Sequence, residues 1–192
     1  MSAAASAGEV AVLSDPDLLE VRRSAVHGRG VFALRRIRKG TRIIEYLGER
    51  ISHQEADRRY EHKRADDNHT FLFIVDRRIV VDAGIGGNEA RFINHSCAPN
   101  CESVIERGHI YIEALRTIEP GEELNYDYRI ARERTDPPDI DTIFACSCGA
   151  EHCRGSMLWP RQRSERGGAT VRRRLRGRDG GAKRAVRRPS AR

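Results

Sequence analysis

The chain has 192 residues, enough for one domain with a hydrophobic core and some additional segments. Its longest apolar run, residues 71–75, is far shorter than the about twenty residues that cross a bilayer. Residues 1–19 lack the basic start and the apolar stretch of a signal peptide. We therefore predict a soluble intracellular protein, in the cytoplasm or in a nucleus or nucleoid, without membrane contact.

The formal charge of +7 is unevenly distributed along the chain. Residues 161–192 contain 13 Lys or Arg and 2 acidic residues, a net charge of +11, which leaves the first 160 residues at −4. Because this basic stretch has few apolar residues, we predict a disordered tail over 159–192. The tail is either a solvated segment or a site of non-specific attraction to nucleic acid or another polyanion.

Short β-branched and aromatic runs predict strands in the body of the chain. In chain order they cover residues 19–22, 31–34, 42–47, 71–75, 79–81, 103–106, 109–114 and 123–128. The runs at 103–106 and 109–114 flank Arg107-Gly108, which predicts a hairpin. Pro120-Gly121 predicts the turn that leads into the last strand.

One helix is predicted to begin at Ser52, where Glu55 three residues later suits a capping box, and to extend to about Arg64. Residues 88–92 predict one more helical turn. The resulting fold is mostly β, with several small sheets and one or two short helices.

A cluster of cysteines near the end of the body predicts a metal site. Cys146, Cys148 and Cys153 form a C-x-C-x4-C pattern, one ligand short of the four that a closed zinc site requires. Cys97 can supply the fourth thiolate and would join the middle of the chain to this segment. Disulfides or idle buried thiols are the alternatives, and they are disfavoured because five cysteines is an odd number and nothing indicates export. Cys101 is predicted to be free.

Four separated segments carry a resemblance to a known family. They are 27–33 (HGRGVFA), 94–97 (NHSC), 123–128 (ELNYDY) and the cysteine pattern. Their order and residues resemble those of SET-domain protein lysine methyltransferases with a C-terminal post-SET zinc motif, over about residues 19–158. The resemblance implies the SET fold with a C-terminal pseudoknot, S-adenosylmethionine as cofactor and zinc as a structural metal. It also implies a protein lysine as methyl acceptor, in a histone or histone-like substrate.

Cofactor-binding residues are expected in three of these segments and beside them. Gly28 and Gly30 allow close approach of the backbone to a ligand, and His27 or Arg29 is suited to the ligand's carboxylate. By resemblance, Asn94 and His95 bind the two ends of the cofactor. Ser147 lies between two predicted metal ligands, so its backbone is expected to pack on the cofactor's edge, and Phe71 is expected in the same site. The competing interpretations are an ordinary strand-entry turn for 27–30 and a core histidine for His95.

Methyl transfer to lysine requires a neutral amine, whereas free lysine has a pKa of about 10.4. A dry aromatic channel and a nearby positive charge both disfavour the ammonium form. The aromatic residues expected around this channel are Tyr46, Phe71, Tyr126 and Tyr128. By resemblance, Tyr128 is the catalytic tyrosine and Tyr126 influences how many methyl groups are added, while Asp127 is expected to form a structural hydrogen bond. Each aromatic residue taken alone is also compatible with a core position.

The predicted organisation contains five parts. They are a flexible N-terminus (1–18), a SET domain (19–130), a linker with two prolines (131–141), the zinc-binding segment (142–158) and the basic tail (159–192). We expect a monomeric lysine methyltransferase. Two alternatives are a catalytically silent SET scaffold associated with nucleic acid or chromatin, and a small zinc-stapled interaction module.

Overall fold

The computed structural model describes residues 17–62, 70–160 and 182–183. Residues 1–16 of the predicted flexible N-terminus lie outside the described residues. Of the predicted basic tail, only residues 159, 160, 182 and 183 are described. The described strands are β1 (Leu19–Arg23), β2 (Arg29–Ala33), β3 (Arg42–Glu45), β4 (Glu49–Ser52), β5 (Leu72–Ile74), β6 (Ile79–Asp82), β7 (Asn94–His95), β8 (Cys101–Glu106), β9 (His109–Ala114), β10 (Glu123–Tyr126) and β11 (Ala182–Lys183). The helices are α1 (His53–Tyr60), a 3-10 helix (Glu89–Phe92) and α2 (Ile140–Ile143). The mostly β fold is as predicted.

The larger sheet has the order β1-β2-β10-β8-β9-β3, and β7 pairs with β10 beside this path. The predicted hairpin is present as β8 and β9, and its turn residues Arg107 and Gly108 have φ values of 50° and 85°. Two successive positive φ angles are what a tight hairpin turn requires.

Strand β10 lies in the middle of this sheet although it comes late in the chain. It pairs antiparallel with β2 and parallel with β7 and β8. The side-chain amide of Asn100 accepts from the backbone of Asn125 and donates to the carbonyl of Glu123, at 2.9 Å each. The Asn125 side chain in turn accepts from the backbone N–H of Asn100 at 3.1 Å. These contacts hold the segment between β7 and β8 against β10, so two segments far apart in the chain are joined.

The smaller sheet has the order β11-β5-β6-β4. Strand β4 was missed in the sequence because Glu49, Arg50 and Ser52 are exposed and only Ile51 provides an apolar contact to the core. Strand β11 lies inside the stretch predicted to be disordered, and its backbone pairs antiparallel with β5.

Helix α1 begins as predicted and ends earlier. The Ser52 hydroxyl accepts from the backbone N–H of Glu55 at 3.1 Å, so Ser52 is the N-cap. The Glu55 carboxylate does not complete the capping box, because it binds Arg58 and Arg59. The helix ends at Tyr60 rather than near Arg64.

The segment after β10 is less separate than the predicted linker suggests. Ile140 begins α2, at the end of that linker, and packs in a cluster with Ile130, Phe144 and Leu158. The cysteine-rich segment is therefore attached to the domain through its own small core. Within the described residues, no helix is long and apolar enough to cross a membrane.

Candidate active site and metal centre

A cavity of about 530 Å³ lies where the predicted motifs meet. It is lined by Val26, His27, Gly28, Arg29, Thr70, Phe71, Arg91, Phe92, Asn94, His95, Tyr128, Ala145, Cys146, Ser147 and Met157. Seven of the eight predicted cofactor-binding residues are in this lining, together with Tyr128. Segments far apart in sequence thus form one wall, as the resemblance implies.

The eighth residue, Gly30, lies behind the wall. A Cβ atom at this position would overlap the Glu123 carboxylate, which accounts for the glycine without a ligand contact. The same carboxylate accepts from Asn94 Nδ2 at 2.7 Å and from the Ser24 hydroxyl at 2.8 Å. Glu123 is therefore a partly buried residue that supports the site, whereas the sequence placed it only within a strand.

Asn94 holds the turn that contains the predicted carboxylate-binding residues. Its Nδ2 atom lies 3.2 Å from the carbonyl of His27 and 3.0 Å from that of Arg29. Gly28 between them has a φ of 49°, a left-handed conformation in which glycine is favoured. Asn94 thus shapes the turn and also lines the cavity.

The predicted tyrosines form a buried cluster, of which only Tyr128 reaches the cavity. The Tyr128 hydroxyl donates to the Ile93 carbonyl at 2.8 Å, and its ring centroid lies 5.0 Å from that of Tyr126. The Tyr46 hydroxyl donates to the Phe71 carbonyl at 2.9 Å. Tyr46 and Tyr126 are 1–2% exposed and lie behind the cavity wall. Burial raises the pKa of all three phenols above the ordinary value, so they remain neutral at pH 7.

The four predicted metal ligands are brought together. The sulfur atoms of Cys97, Cys146, Cys148 and Cys153 all lie within 4.8 Å of one another. Three of the separations are 3.6, 3.8 and 3.9 Å. A tetrahedral zinc ion with Zn–S bonds of about 2.3 Å holds its sulfurs about 3.8 Å apart, so the cluster has the size of a zinc site. All five cysteines are free thiols, and a disulfide would need sulfurs about 2.05 Å apart.

Backbone N–H groups around the cluster donate to three of its four sulfurs. The amides of Cys97, Arg154 and Gly155 donate to the sulfurs of Cys148, Cys97 and Cys153, each at 3.4 Å. Burial raises the pKa of Cys97 and Cys146. At Cys148 burial is outweighed by backbone N–H groups and neighbouring thiols, which lower its pKa to about 6. Cys101 stands apart, with burial raising its pKa to about 12, as expected for an inert thiol.

His95 connects the cavity to the metal cluster. Its Nδ1 atom accepts from the backbone N–H of Tyr128 at 3.1 Å, so the proton is on Nε2. Nε2 lies 3.4 Å from the sulfur of Cys97 and donates to it. One ring therefore orients the backbone of the cavity tyrosine and a metal ligand together.

Asp127 has the structural role that was predicted for it. Its two carboxylate oxygens accept from Arg154 at 2.8 and 2.9 Å. This bidentate pair joins the strand that ends at Tyr126 to the cysteine-rich segment. Burial acts to raise the pKa of Asp127, but the hydrogen bonds from Arg154, the backbone N–H of Arg129 and the charge of Arg154 together outweigh burial and lower the pKa.

Six lining residues were not predicted, namely Val26, Thr70, Arg91, Phe92, Ala145 and Met157. The guanidinium groups of Arg29 and Arg91 lie 3.8 and 4.7 Å from the centre of the Phe92 ring. Arg91 and Phe92 come shortly before Asn94 in the sequence, and Val26, Thr70 and Ala145 each adjoin a predicted residue, so a signal was available for these five. Met157 has no such signal, because its position depends on the fold of the last segment.

A family model of the SET domain matches residues 28–129, more than half of the chain. The chain belongs to the SET-domain family. The cavity, Tyr128 and three of the four sequence motifs lie wholly or partly inside the matched range.

Curated relatives share this part of the chain. The chain is 42% identical over 142 residues to the histone-lysine N-methyltransferase trithorax of Drosophila virilis. The matched region covers 72% of this chain and 4% of that protein. It is 45% identical over 138 residues to histone-lysine N-methyltransferase 2B of Homo sapiens, covering 70% of this chain and 5% of that protein. An H3 lysine-4 specific histone-lysine N-methyltransferase of Aspergillus oryzae is 42% identical, over 70% of this chain and 11% of its own length. The chain thus spans a small part of these relatives.

A solved structure is also similar. It is ctPRC2 in an autoinhibited conformation bound to S-adenosylmethionine, with a TM-score of 0.54 and 34% identity. The match covers 58% of this chain and 15% of that chain.

Proposed function

We propose that the chain is a protein-lysine methyltransferase that uses S-adenosylmethionine and is stabilised by one structural zinc ion. The observation that carries the proposal is the shared cavity, whose wall combines the 27–29 turn, Asn94-His95, Tyr128 and the cysteine-rich segment. A silent scaffold does not require these residues to meet around a cavity. An interaction module does not explain the buried tyrosine cluster behind it.

The cavity has the properties of a site for a small zwitterionic cofactor. Its volume of about 530 Å³ is in the range of ligand pockets, roughly 300–1,000 Å³. Exposed Arg29 provides positive charge for a carboxylate on one side, and the ring of exposed His27 is suited to contact the same carboxylate. Phe71, Phe92 and Met157 provide apolar surface for the remainder of the ligand. When bound, S-adenosylmethionine supplies a methyl group activated by a sulfonium sulfur.

The residues behind the cavity favour a neutral lysine amine. Tyr46, Tyr126 and Tyr128 exclude water, and their own high pKa values keep them uncharged. A lysine in such surroundings loses the hydration that stabilises its ammonium form, so its pKa falls. The Tyr128 hydroxyl is fixed by Ile93 and orients the reacting groups, because a positioned pair reacts far faster than a free one.

Zinc has a structural role in this proposal. Four thiolates close the coordination sphere and leave no position for a catalytic water. The metal would hold Cys146 and Ser147 in the cavity wall and keep Cys97 in place beneath His95.

The proposal is tested with zinc-loaded protein, methyl-labelled S-adenosylmethionine and core histones. Label on lysine of a histone is the expected result. Label on no protein, with the cofactor bound and zinc present, would favour the silent scaffold.

Asn94→Ala is expected to weaken cofactor binding about tenfold with a smaller effect on the rate at saturation. The change removes the side chain that holds the carbonyls of His27 and Arg29, and roughly 1.4 kcal/mol corresponds to a factor of ten. Calorimetric titration of the cofactor measures the affinity. Asn125→Ala, in the same strand pair but away from the cavity, serves as control. Equal losses in both variants would indicate a general effect on folding.

Product number is expected to depend on Tyr126. A lysine that already carries a methyl group needs additional space, which the Tyr126 hydroxyl restricts. We predict mainly monomethyllysine from the native chain and a shift toward di- and trimethyllysine in Tyr126→Phe, measured by mass spectrometry of a methylated peptide. Mostly trimethyllysine from the native protein would contradict this prediction.

Binding of nucleic acid is proposed for the basic tail, because its charge of +11 contrasts with −4 for the first 160 residues. Affinity for DNA or RNA is expected to fall steeply with salt, since phosphate contacts release counterions, and to be equal for all sequences. Deletion of 161–192 should abolish it in a fluorescence anisotropy titration. Unchanged binding by the truncated protein would place the site in the body.

A further inference from the structure

The backbone of Ala182–Lys183 occupies the edge of the smaller sheet. It pairs antiparallel with β5, with Ala182 opposite Ile74 and Lys183 opposite Phe73. Without β11, β5 would be an edge strand with unpaired backbone groups, next to β6. Addition of an extended segment to such an edge is a general mode of peptide recognition, in which main-chain hydrogen bonds provide affinity.

The covered edge adjoins the candidate active site. Strand β5 begins directly after Thr70 and Phe71, which line the cavity. Phe73, the register partner of Lys183, packs against Tyr46 and Tyr126 with ring centroids 5.4 and 6.3 Å apart. The paired backbone therefore runs beside the tyrosine cluster that is proposed to receive a lysine.

The residue at this position is chemically distinct from the remainder of the tail. Of the 13 basic residues in 161–192, Lys183 is the only lysine and the other 12 are arginines. The whole chain contains only two other lysines, Lys39 and Lys63. Arginine keeps its proton near neutral pH and is a poor nucleophile, whereas lysine can lose its proton in a suitable environment. The one residue of the tail whose side-chain amine can become neutral thus lies on the strand beside the site.

We propose that Lys183 is a methylation site of this same chain, presented to its active site by the pairing of β11 with β5. The inference rests on the proposed methyltransferase function and adds a substrate to it. The backbone of any peptide substrate then pairs with the edge of β5. When no peptide is bound, β11 of the tail occupies this edge.

The reaction balances with S-adenosylmethionine as the only co-reactant. A bond forms between the neutral Nζ of Lys183 and the methyl carbon, and the bond from that carbon to sulfur breaks. Its electron pair remains on sulfur, which becomes an uncharged thioether. The amine proton is released to water as the lysine becomes deprotonated before attack.

Attachment in the same chain strengthens the pairing. Residues 161–181 connect the body to β11 in one chain, so the pairing is intramolecular and does not depend on protein concentration. Free peptides must compete with this intramolecular pairing. Deletion of 161–192 is therefore expected to lower the KM for a peptide substrate several-fold and to leave kcat unchanged.

The test uses full-length, zinc-loaded protein with methyl-labelled S-adenosylmethionine, in separate reactions with and without a lysine-containing basic peptide. Without peptide, mass spectrometry should locate the label on Lys183. Lys183→Arg should abolish self-labelling and retain peptide methylation, while Lys39→Arg should retain both. The fraction labelled per unit time should stay constant over about hundredfold dilution, because the reaction is intramolecular.

A second pair of variants tests the strand pairing. Ala182→Pro removes one backbone donor from β11 and is expected to lower self-labelling about fivefold, whereas Ala182→Ser keeps the donor and should not. Peptide methylation without label on Lys183 would overturn this inference and leave the proposed function intact. A labelling rate that falls in proportion to dilution would overturn it as well, since Lys183 would then react between chains. Absence of methylation in both reactions would overturn the proposed function with it.

Discussion

Tyr128→Phe is expected to reduce methyl transfer about a hundredfold and to leave cofactor affinity nearly unchanged. The loss corresponds to the removal of one positioned polar group from a water-excluded site, which typically costs 10²–10³ in rate. The ring still fills its place against Tyr126 and His95, at centroid distances of 5.0 and 5.2 Å, so the cavity wall keeps its shape. An interaction that acts only in the transition state changes kcat more than binding.

Single-turnover kinetics with a saturating peptide measure this effect. Tyr111→Phe is the matched control, because Tyr111 lies on β9 and packs against His109 and Arg42, away from the cavity lining. Thermal unfolding should show only a small loss for Tyr128→Phe, about 1 kcal/mol for the hydrogen bond to Ile93. Full activity in this variant would remove Tyr128 from its proposed role, and a large loss of stability would make the activity data a folding effect.

The motifs in the sequence identified the residues that line the cavity and form the cysteine cluster better than the residues that hold them in place. Asn94, His95 and Cys97 lie within four consecutive residues, so one short pattern places both cavity and metal residues. Glu123 was not recognised as a support, since its partner Gly30 is 93 positions away and the pairing exists only after β10 has inserted beside β2. Long-range packing of this kind leaves no local periodicity to detect.

The errors in secondary structure have similar causes. Strand β4 carries three exposed polar residues and shows no alternating apolar pattern over its four positions. Strand β11 has only two residues in an arginine-rich context, and its pairing depends on the open edge of β5 rather than on its own propensity. The segment 131–141 was taken as a linker because of its prolines, yet Ile140 near its end finds a buried partner in Phe144.

Loss of zinc is expected to remove cofactor binding without unfolding the domain. Cys148→Ser leaves three thiolates, which is one fewer than a closed structural site needs. The main core, built from residues such as Val31, Ile112 and Leu124, contains none of the four ligands. The cysteine-rich segment instead depends on the metal, because in sites of this type metal binding supplies folding energy.

The effect reaches the cavity through three identified contacts. Cys146 and Ser147 line it directly, and His95 donates to the sulfur of Cys97. The Arg154 pair with Asp127 remains, but it holds only one end of the segment. We therefore expect cofactor affinity to fall at least about tenfold, the usual lower limit when groups around a metal site are removed.

Elemental analysis and calorimetric titration test the two consequences together. The native chain should contain about one zinc and Cys148→Ser almost none, with cofactor affinity lost in parallel. Cys101→Ala is the matched control, because this thiol is fully buried, inert and outside the cluster, so the variant should keep both zinc and cofactor. Retention of zinc by Cys148→Ser would exclude the four-thiolate site. Full cofactor affinity in a zinc-free chain would contradict the second consequence. The wall formed by Cys146 and Ser147 would then keep its shape without the metal, held only by the Arg154–Asp127 pair and the small core around Ile140.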